Sequence, residues 1–568
     1  LTLTDIAENR ETIDNVRLWD HEPLLQTFGQ LQEIRTYYDF VTVDDDRYWI
    51  DGDYRQVLLS PRELNSSSLP TRTFINEHLT FTHGMGVTLA PVNQVTPPGL
   101  PDLFIKDLPP ASNVDLVVER PQIYFGELTE DYVVVNTRQQ EFDYPAGDEN
   151  VFTEYAGRGG VRVGNLARRL MLASYFGSLT MLLSQDITND SRVLYHRDIA
   201  ARARRALPFL YFDRDPYLVI DDAGELKWIL DAYTLTSRYP YAQRLPNGTS
   251  YMRNSVKVVI DAYDGTVTAY IADPNEVIAR VYDRIFPGIF QPLDALPSDL
   301  RQHLRYPEDL YRVQANLYQV YHMDEAETFY HREDQWQIPT LGRGEQSEQF
   351  MRRIIMRLPH EQDAEFIFMT QFTPARRDNL AAWMVARSDG DNYGELIVYE
   401  FPRQSLVYGP QQVVNRINQD TYVARQITLW DQAGSEVVRG ELLVLPIAEA
   451  LIYVQPIYLR AEGGRIPELK QVVVAYENQV VMQETLDGAL EVVFGARPPD
   501  PIEGLEPTPE PGVSIAPPAL GTPDTTPGAD AAEQLRLMQE QYERALAEIE
   551  RLGELLRQWQ RRQGGGGS

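Results

Sequence analysis

Cysteine is absent from all 568 residues. Disulfides, thiolate nucleophiles and cysteine-ligated zinc or iron–sulfur centres are thereby excluded. No apolar run reaches the ~18 residues that a membrane span needs. The nearest candidate, Leu166–Leu183, carries Arg168, Arg169 and several small polar residues, and reads as a buried or amphipathic helix. The chain opens on Leu1 without a methionine or a basic stretch, so these residues are not expected to be a secretory leader and the chain is expected to be a piece of something longer. Positive charge is scarce, with 52 Lys and Arg against 83 Asp and Glu and a formal net charge of −31. Nonspecific nucleic-acid binding needs the opposite balance, so no nucleic-acid partner is expected. An acidic surface keeps a chain soluble and permits divalent cations or a basic partner.

The sequence signatures of common chemistries are missing as well. There is no nucleophile elbow, no Walker phosphate loop, no His-Glu-x-x-His and no dinucleotide fingerprint. Gly157-Arg158-Gly159-Gly160 is glycine-rich, but Arg162 stands where a third fingerprint glycine would be. It reads as a flexible loop before a helix. The eight histidines, His196, His322 and His331 among them, show no metal-ligand spacing. No catalytic or cofactor-binding residue is assigned.

What is present is ample material for a core: 43% hydrophobic residues, 10% aromatics and 32 tyrosines, many in strand-like runs. The clearest element is a hairpin over Tyr251–Pro274. Val256, Val258 and Ile260 alternate with other residues, Val267, Ala269 and Ile271 alternate again, and Asp264-Gly265 suits the tight turn between them. The fold class is α+β: β-rich layers with an inserted helical block, then a linker and a coiled-coil-like helix.

Residues 1–345 form an N-terminal α+β domain with the helical insert near 163–207, including helices over Asn165–Ser184 and Ser191–Arg205. Residues 346–496 form a β-rich domain, with strands that include Gln426–Trp430 and Val437–Ile447 and a closing helix over Asp487–Phe494. The Pro, Gly, Thr and acid content of 497–528 predicts a disordered linker. An amphipathic helix follows over 529–563, and Gly564–Ser568 is an appended flexible sequence. In that helix Leu535, Met538, Tyr542, Ile549, Leu552, Leu556 and Trp559 lie on one three-and-four-spaced seam, which predicts a homo-oligomer.

Two acidic constellations are candidate sites. Ser388–Glu400 places Asp389, Asp391 and Glu400 at positions 1, 3 and 12 of a calcium-loop pattern, with Gly394 at position 6. Tyr393 fills the position of an oxygen ligand, and Leu396–Phe401 reads as a strand where a helix should begin. Calcium is therefore weighed against an acidic turn between strands. Asp213, Asp215, Asp221, Asp222 and Asp231 form the second group, able to hold a cation or move protons if their carboxylates converge. Charges at strand ends facing water are the competing account. Asp44, Asp45 and Asp46 stand in a row within the aromatic and acidic Tyr37–Asp53.

Several stretches carry a resemblance to a known family. They include Val16–Asp20 (VRLWD), Leu24–Phe40 (LLQTFGQLQEIRTYYDF), Arg120–Thr137 (RPQIYFGELTEDYVVVNT), Glu141–Pro145 (EFDYP) and Ser191–Ile199 (SRVLYHRDI). Asp231–Tyr241 (DAYTLTSRYPY), Arg253–Gly265 (RNSVKVVIDAYDG), Leu304–Leu310 (LRYPEDL) and Phe372–Pro402 belong to the same set, as do Leu406–Pro410 (LVYGP), Glu436–Ile447 and Ile466–Tyr476. Together they resemble UPF0182, a family of uncharacterised bacterial membrane proteins. The resemblance implies an N-terminal membrane segment as partner, followed by a large domain on the extracytoplasmic side of the bacterial cell membrane. It implies no catalytic residues. The function expected is a non-enzymatic assembly or binding platform at the cell envelope, with transport by the membrane part as the process it would serve. The alternative is an envelope hydrolase using acidic residues with a divalent cation.

Overall fold

The computed structural model describes residues 1–147, 149–341, 348–402, 406–431, 434–448, 450–464 and 466–495. The expected linker over 497–528 and the seam from Leu535 to Trp559 lie outside the described residues.

The fold is α+β and rests on four larger sheets. In the first, Asp44–Ile50 pairs antiparallel with Asp53–Pro61, which continues to Val87–Pro91, Ile105–Lys106 and Ala111–Ser112. The second holds Tyr217–Ile220, Leu226–Thr236, Tyr251–Asp261 and Val267–Ile271. Its hairpin has the alternation and turn expected, with Val256 opposite Ile271 and Ile260 opposite Val267. Gly265 at the turn has φ of 71°. It also lies hard against Phe125, where a Cβ would fall 2.5 Å from the ring.

The third sheet is built on Met351–Arg357, Ala364–Pro374, Ala382–Arg387 and Leu396–Glu400. The fourth is built on Ala450–Ala461 and its partners Ser435–Arg439, Leu443–Ile447 and Glu468–Tyr476. One core joins Ile13, Trp19 and Phe28 to Ile354, Met369, Leu445 and Val472. The first helices are thus built into the same interior as the last third of the sequence. A second core lies between Val57, Leu59 and Leu89 of the first sheet and Leu218, Trp228 and Val258 of the second.

Several local expectations need correction. Gln426–Trp430 is helical, inside Thr421–Asp431. Val423 and Ile427, four residues apart, face the core together, and a five-residue window does not separate that spacing from alternation. Val437–Ile447 breaks into two strands, Ser435–Arg439 and Leu443–Ile447; between them Glu441 N leaves the ladder and donates to Asp20 Oδ2 at 2.7 Å, and Gly440 packs on Pro456. Ser191–Arg205 begins as the strand Arg192–Leu194 and becomes helical only at Ile199, where Asp198 caps the helix by accepting from Ala201 N at 2.5 Å. Leu166–Leu183 is two helices, Leu166–Phe176 and Leu179–Leu183, divided at Gly177 in the left-handed region. The Gly157–Gly160 stretch is a cradle: the Arg192 guanidinium donates to the carbonyls of Arg158, Gly159 and Gly160 at 2.5, 2.6 and 3.1 Å.

Candidate functional site

The site is organised by the strand Asp44–Ile50. Sequence alone offers three adjacent carboxylates that should seek water. All three are buried, as are Arg47 and Tyr48. The cause is packing on both faces of the strand, which covers both sets of alternating side chains from Asp44 to Tyr48 and leaves only Trp49, near the strand's end, exposed. Asp44 accepts from Leu218 N at 2.9 Å, and the Tyr48 hydroxyl accepts from Ile220 N at 2.9 Å, both from the second sheet. Arg47 donates to Leu304 O at 2.8 Å and to Asp389 Oδ1 at 3.1 Å, and its guanidinium lies over Phe366, 4.8 Å from the ring centre.

Each buried charge is matched to a distant partner. Asp45 lies 2.7 Å from His21 Nε2 and accepts from Gln56 Nε2 at 3.0 Å. Burial pushes its carboxyl up, but His21 and Arg17 outweigh burial and hold it well below the ordinary carboxylate range. Asp46 has His303 Nδ1 at 3.0 Å. Asp44 accepts from Leu218 N, and burial pushes its carboxyl well above the ordinary range although Arg305 opposes the shift.

Beside this framework opens a cleft of about 950 Å³. Its walls are the turn Trp49–Arg55, residues 115–119, residues 221–224, His303, Asp363 and Asp389, with the N-terminal Arg10–Asn15 closing one side. The volume falls in the range of ligand-binding clefts. Trp49 is 66% exposed and stands with its ring centre 5.1 Å from that of Tyr54. The exposed carboxylates of Glu11, Asp53, Asp115, Glu119, Asp222 and Asp363 line the opening. Three arginines also contribute to the lining, and each is already paired. Arg47 holds Asp389, Arg55 lies 2.5 Å from Asp53, and Arg10 lies 2.8 Å from Asp14 and 2.9 Å from Asp487. The cleft therefore presents negative potential beside an open aromatic face.

The residues singled out in the sequence divide clearly. Asp389 lies in the cleft wall, but its oxygens accept from Arg47, from the Tyr54 hydroxyl at 2.6 Å and from Phe366 N at 2.6 Å. Asp391 sits on the short turn Gly390–Asn392. Glu400 is carried off at the far end of the strand Leu396–Glu400, opposite Ala382, whereas Leu396 is opposite Ala386. Four residues of strand separate those ends by about 13 Å. The structure does not bring the three together. Among the described residues no group of three or more His, Asp or Glu could hold a metal ion.

Asp221 also lines the cleft, accepting from Ala223 N at 3.1 Å and Glu225 N at 2.7 Å, while Asp222 stands exposed at the rim. The other members of its group are elsewhere. Asp213 accepts from the Tyr233 hydroxyl and from Asp309 N, and burial, with Asp231 nearby, pushes its carboxyl up to about 6. Asp215 pairs with Arg353 at 3.1 Å, and Asp231 pairs with the buried Lys257. The burial of Asp44–Arg47 and the exposure of Trp49 at the cleft were not legible in the sequence. The available signal was that the acidic run passes directly into Arg-Tyr-Trp-Ile, a strand-forming stretch.

The model of the Uncharacterised protein family (UPF0182) matches residues 1–430. The chain belongs to UPF0182. It is 53% identical over 502 residues to a UPF0182 protein of Pelobacter propionicus (strain DSM 2379 / NBRC 103807 / OttBd1), covering 88% of this chain and 56% of that protein. It is 52% identical over 497 residues to one of Geobacter sp. (strain M21), covering 88% and 55%. Over 546 residues it is 49% identical to one of Trichlorobacter lovleyi (strain ATCC BAA-1151 / DSM 17278 / SZ), covering 96% and 59%. This UPF0182 chain thus spans somewhat more than half the length of the curated relatives it matches. No solved structure matches it. No helix among the described residues is long and apolar enough to cross a membrane.

Proposed function

We propose that this UPF0182 chain is a non-enzymatic extracytoplasmic module of a bacterial integral membrane protein. It acts as a binding platform at the cell envelope, and its cleft takes a ligand bearing amine or guanidinium cations. One observation carries this reading: six exposed carboxylates surround a cleft that also presents Trp49. Carboxylates attract cationic groups, and an exposed indole adds a face on which a cation is held. Transport by the membrane part is the process such a platform would serve.

An acid-dependent hydrolase would need a carboxylate available to move a proton. Asp221 and Asp389 reach the same cleft, but backbone and side-chain donors already occupy them. That arrangement supports a wall-building role for these two residues. The test is fluorescence anisotropy with labelled oligolysine and oligoglutamate peptides on the full chain. Oligolysine should bind, with an affinity that falls as salt rises, and Trp49→Ala should weaken it at least about fivefold. Equal affinity for the two peptides, or none for oligolysine, would overturn the proposal.

A further inference from the structure

The helical pair Leu166–Phe176 and Leu179–Leu183 is apolar on both of its faces. The inner face is accounted for: Leu172, Ala173 and Met181 pack with Leu79, Val134 and Val193. Arg169 fixes the pair by donating from Nε to Met181 O at 2.9 Å and from a guanidinium NH2 to Ser184 O. The outer face carries Leu166, Leu170, Met171, Tyr175, Leu179 and Leu183, all more than half exposed, and Leu179 and Leu183 reach 76%. Contiguous apolar surface of this kind marks an interaction site.

Charge identifies what covers it. Over residues 156–206 there are nine arginines against three aspartates, with no lysine or glutamate, in a chain whose net charge is −31. Arg158, Arg162, Arg168, Arg204 and Arg205 are exposed. The helix Ile199–Ala206, which bears the last two, is tied to the apolar pair. Tyr175 Oη lies 3.4 Å from His196 Nε2, and Arg202 donates to His196 O at 3.2 Å. Just beyond that helix, Phe209 stacks on Tyr282 and Phe286, at ring-centre distances of 4.3 and 5.1 Å. They belong to, or directly follow, the helix Val277–Ile285, whose Val277, Val281 and Ile285 are again exposed. Basic side chains thus sit between two uncovered apolar helix faces on an otherwise acidic molecule.

We propose that this basic, apolar face docks on a lipid bilayer containing anionic lipids. Short helices that bury an apolar face at the headgroup boundary, with arginines beside it, bind in this way without crossing. The helices here are too short to span. The inference stands apart from the cleft reading, because it uses none of the cleft residues and holds whatever the cleft binds.

The test is flotation of the full chain with vesicles of phosphatidylcholine alone and with about 30 mol% phosphatidylglycerol added. Two variants accompany it, Leu170→Asp with Leu179→Asp and Arg204→Glu with Arg205→Glu. All four positions are exposed, so thermal unfolding should be nearly unchanged. If the leucine variant fails to fold, the arginine variant carries the test alone. Recruitment is expected with the anionic vesicles, weaker at high salt, and lowered at least about tenfold in both variants. Three results would overturn the proposal: no recruitment to anionic vesicles, recruitment unchanged in the variants, or light scattering that shows a dimer lost in the leucine variant while vesicles recruit nothing. The last would assign the face to a second copy of the chain.

Discussion

Tyr54 Oη donates to Asp389 Oδ2 at 2.6 Å across 335 residues of sequence. The same oxygen accepts from Phe366 N at 2.6 Å, and the other takes Arg47 at 3.1 Å. Asp389 is therefore the point at which the hairpin around Asp51 and Gly52 is fixed to the third sheet. The Arg47 side chain is 1% exposed. Removing this carboxylate leaves the buried guanidinium with Asp46 at 3.4 Å and the carbonyls of Leu304 and Ser388, and takes away its nearest carboxylate, an effect of up to about 3–5 kcal/mol. Asp389→Ala should lower stability by that order in chemical denaturation, with Asp389→Asn intermediate. Loss of less than about 1 kcal/mol would show that the ion pair does not hold the cleft wall.

Glu63 and Gly126 give a steric prediction. The Glu63 carboxylate accepts from Glu127 N at 2.8 Å and Leu128 N at 2.9 Å. A Cβ on Gly126 would fall 2.2 Å from Glu63 Oε2. Gly126→Ala must displace that carboxylate from both donors, and should destabilise by about 2–4 kcal/mol. A melting temperature equal to that of the unsubstituted protein would refute the close packing.

The same carboxylate gives a pH prediction. Burial pushes the carboxyls of Glu63 and Glu127 up to about 7, from an ordinary value of 4.5. A raised carboxyl binds its proton more tightly in the folded chain. Its unfavourable contribution is absent below about 4.5, grows as pH rises, and is complete above about 7. His83, which burial lowers to about 4, acts in the opposite sense between 4 and its ordinary 6.5. In Glu63→Gln the histidine remains, so its effect cancels in the difference. The stability of Glu63→Gln relative to the unsubstituted protein should fall by up to about 3 kcal/mol between about pH 8 and pH 5. Urea melts at the two pH values measure it, and a pH-independent difference would contradict the assignment.

How much of this was legible follows from the range of the interactions. The Tyr251–Pro274 hairpin could be read because its alternation and its Asp264-Gly265 turn are local. Gln426–Trp430 was misread because the window was too short to show that Val423 and Ile427 share a helix face. The burial of Asp44, Asp45 and Asp46 was hidden because their partners lie at Leu218, His21 and His303. Adjacent acids look solvated until cations and donors arrive from elsewhere in the chain. The cleft has the same property. Asp53, Asp115, Asp222 and Asp363 are brought to one opening by separate segments, and no sequence window contains two of them. Within the acidic loop, the calcium-loop spacing singles out Asp389, whereas the partners that its oxygens take, Arg47 and Tyr54, lie more than 300 residues away in sequence.

Under the proposed function it is this cleft, and not the acidic surface at large, that holds a cationic ligand. Isothermal titration of an oligolysine peptide into three proteins tests it directly: the unsubstituted chain, the cleft variant Asp53→Asn, Asp115→Asn, Asp222→Asn and Asp363→Asn, and a control of equal charge change, Asp324→Asn, Glu325→Gln, Glu327→Gln and Glu333→Gln. The control residues are exposed and lie outside the cleft. Screened surface charges contribute little individually, whereas charges converging on one cleft act together. The cleft variant should bind at least about tenfold more weakly and the control within about twofold of the unsubstituted chain. Equal weakening in the two variants would contradict the account.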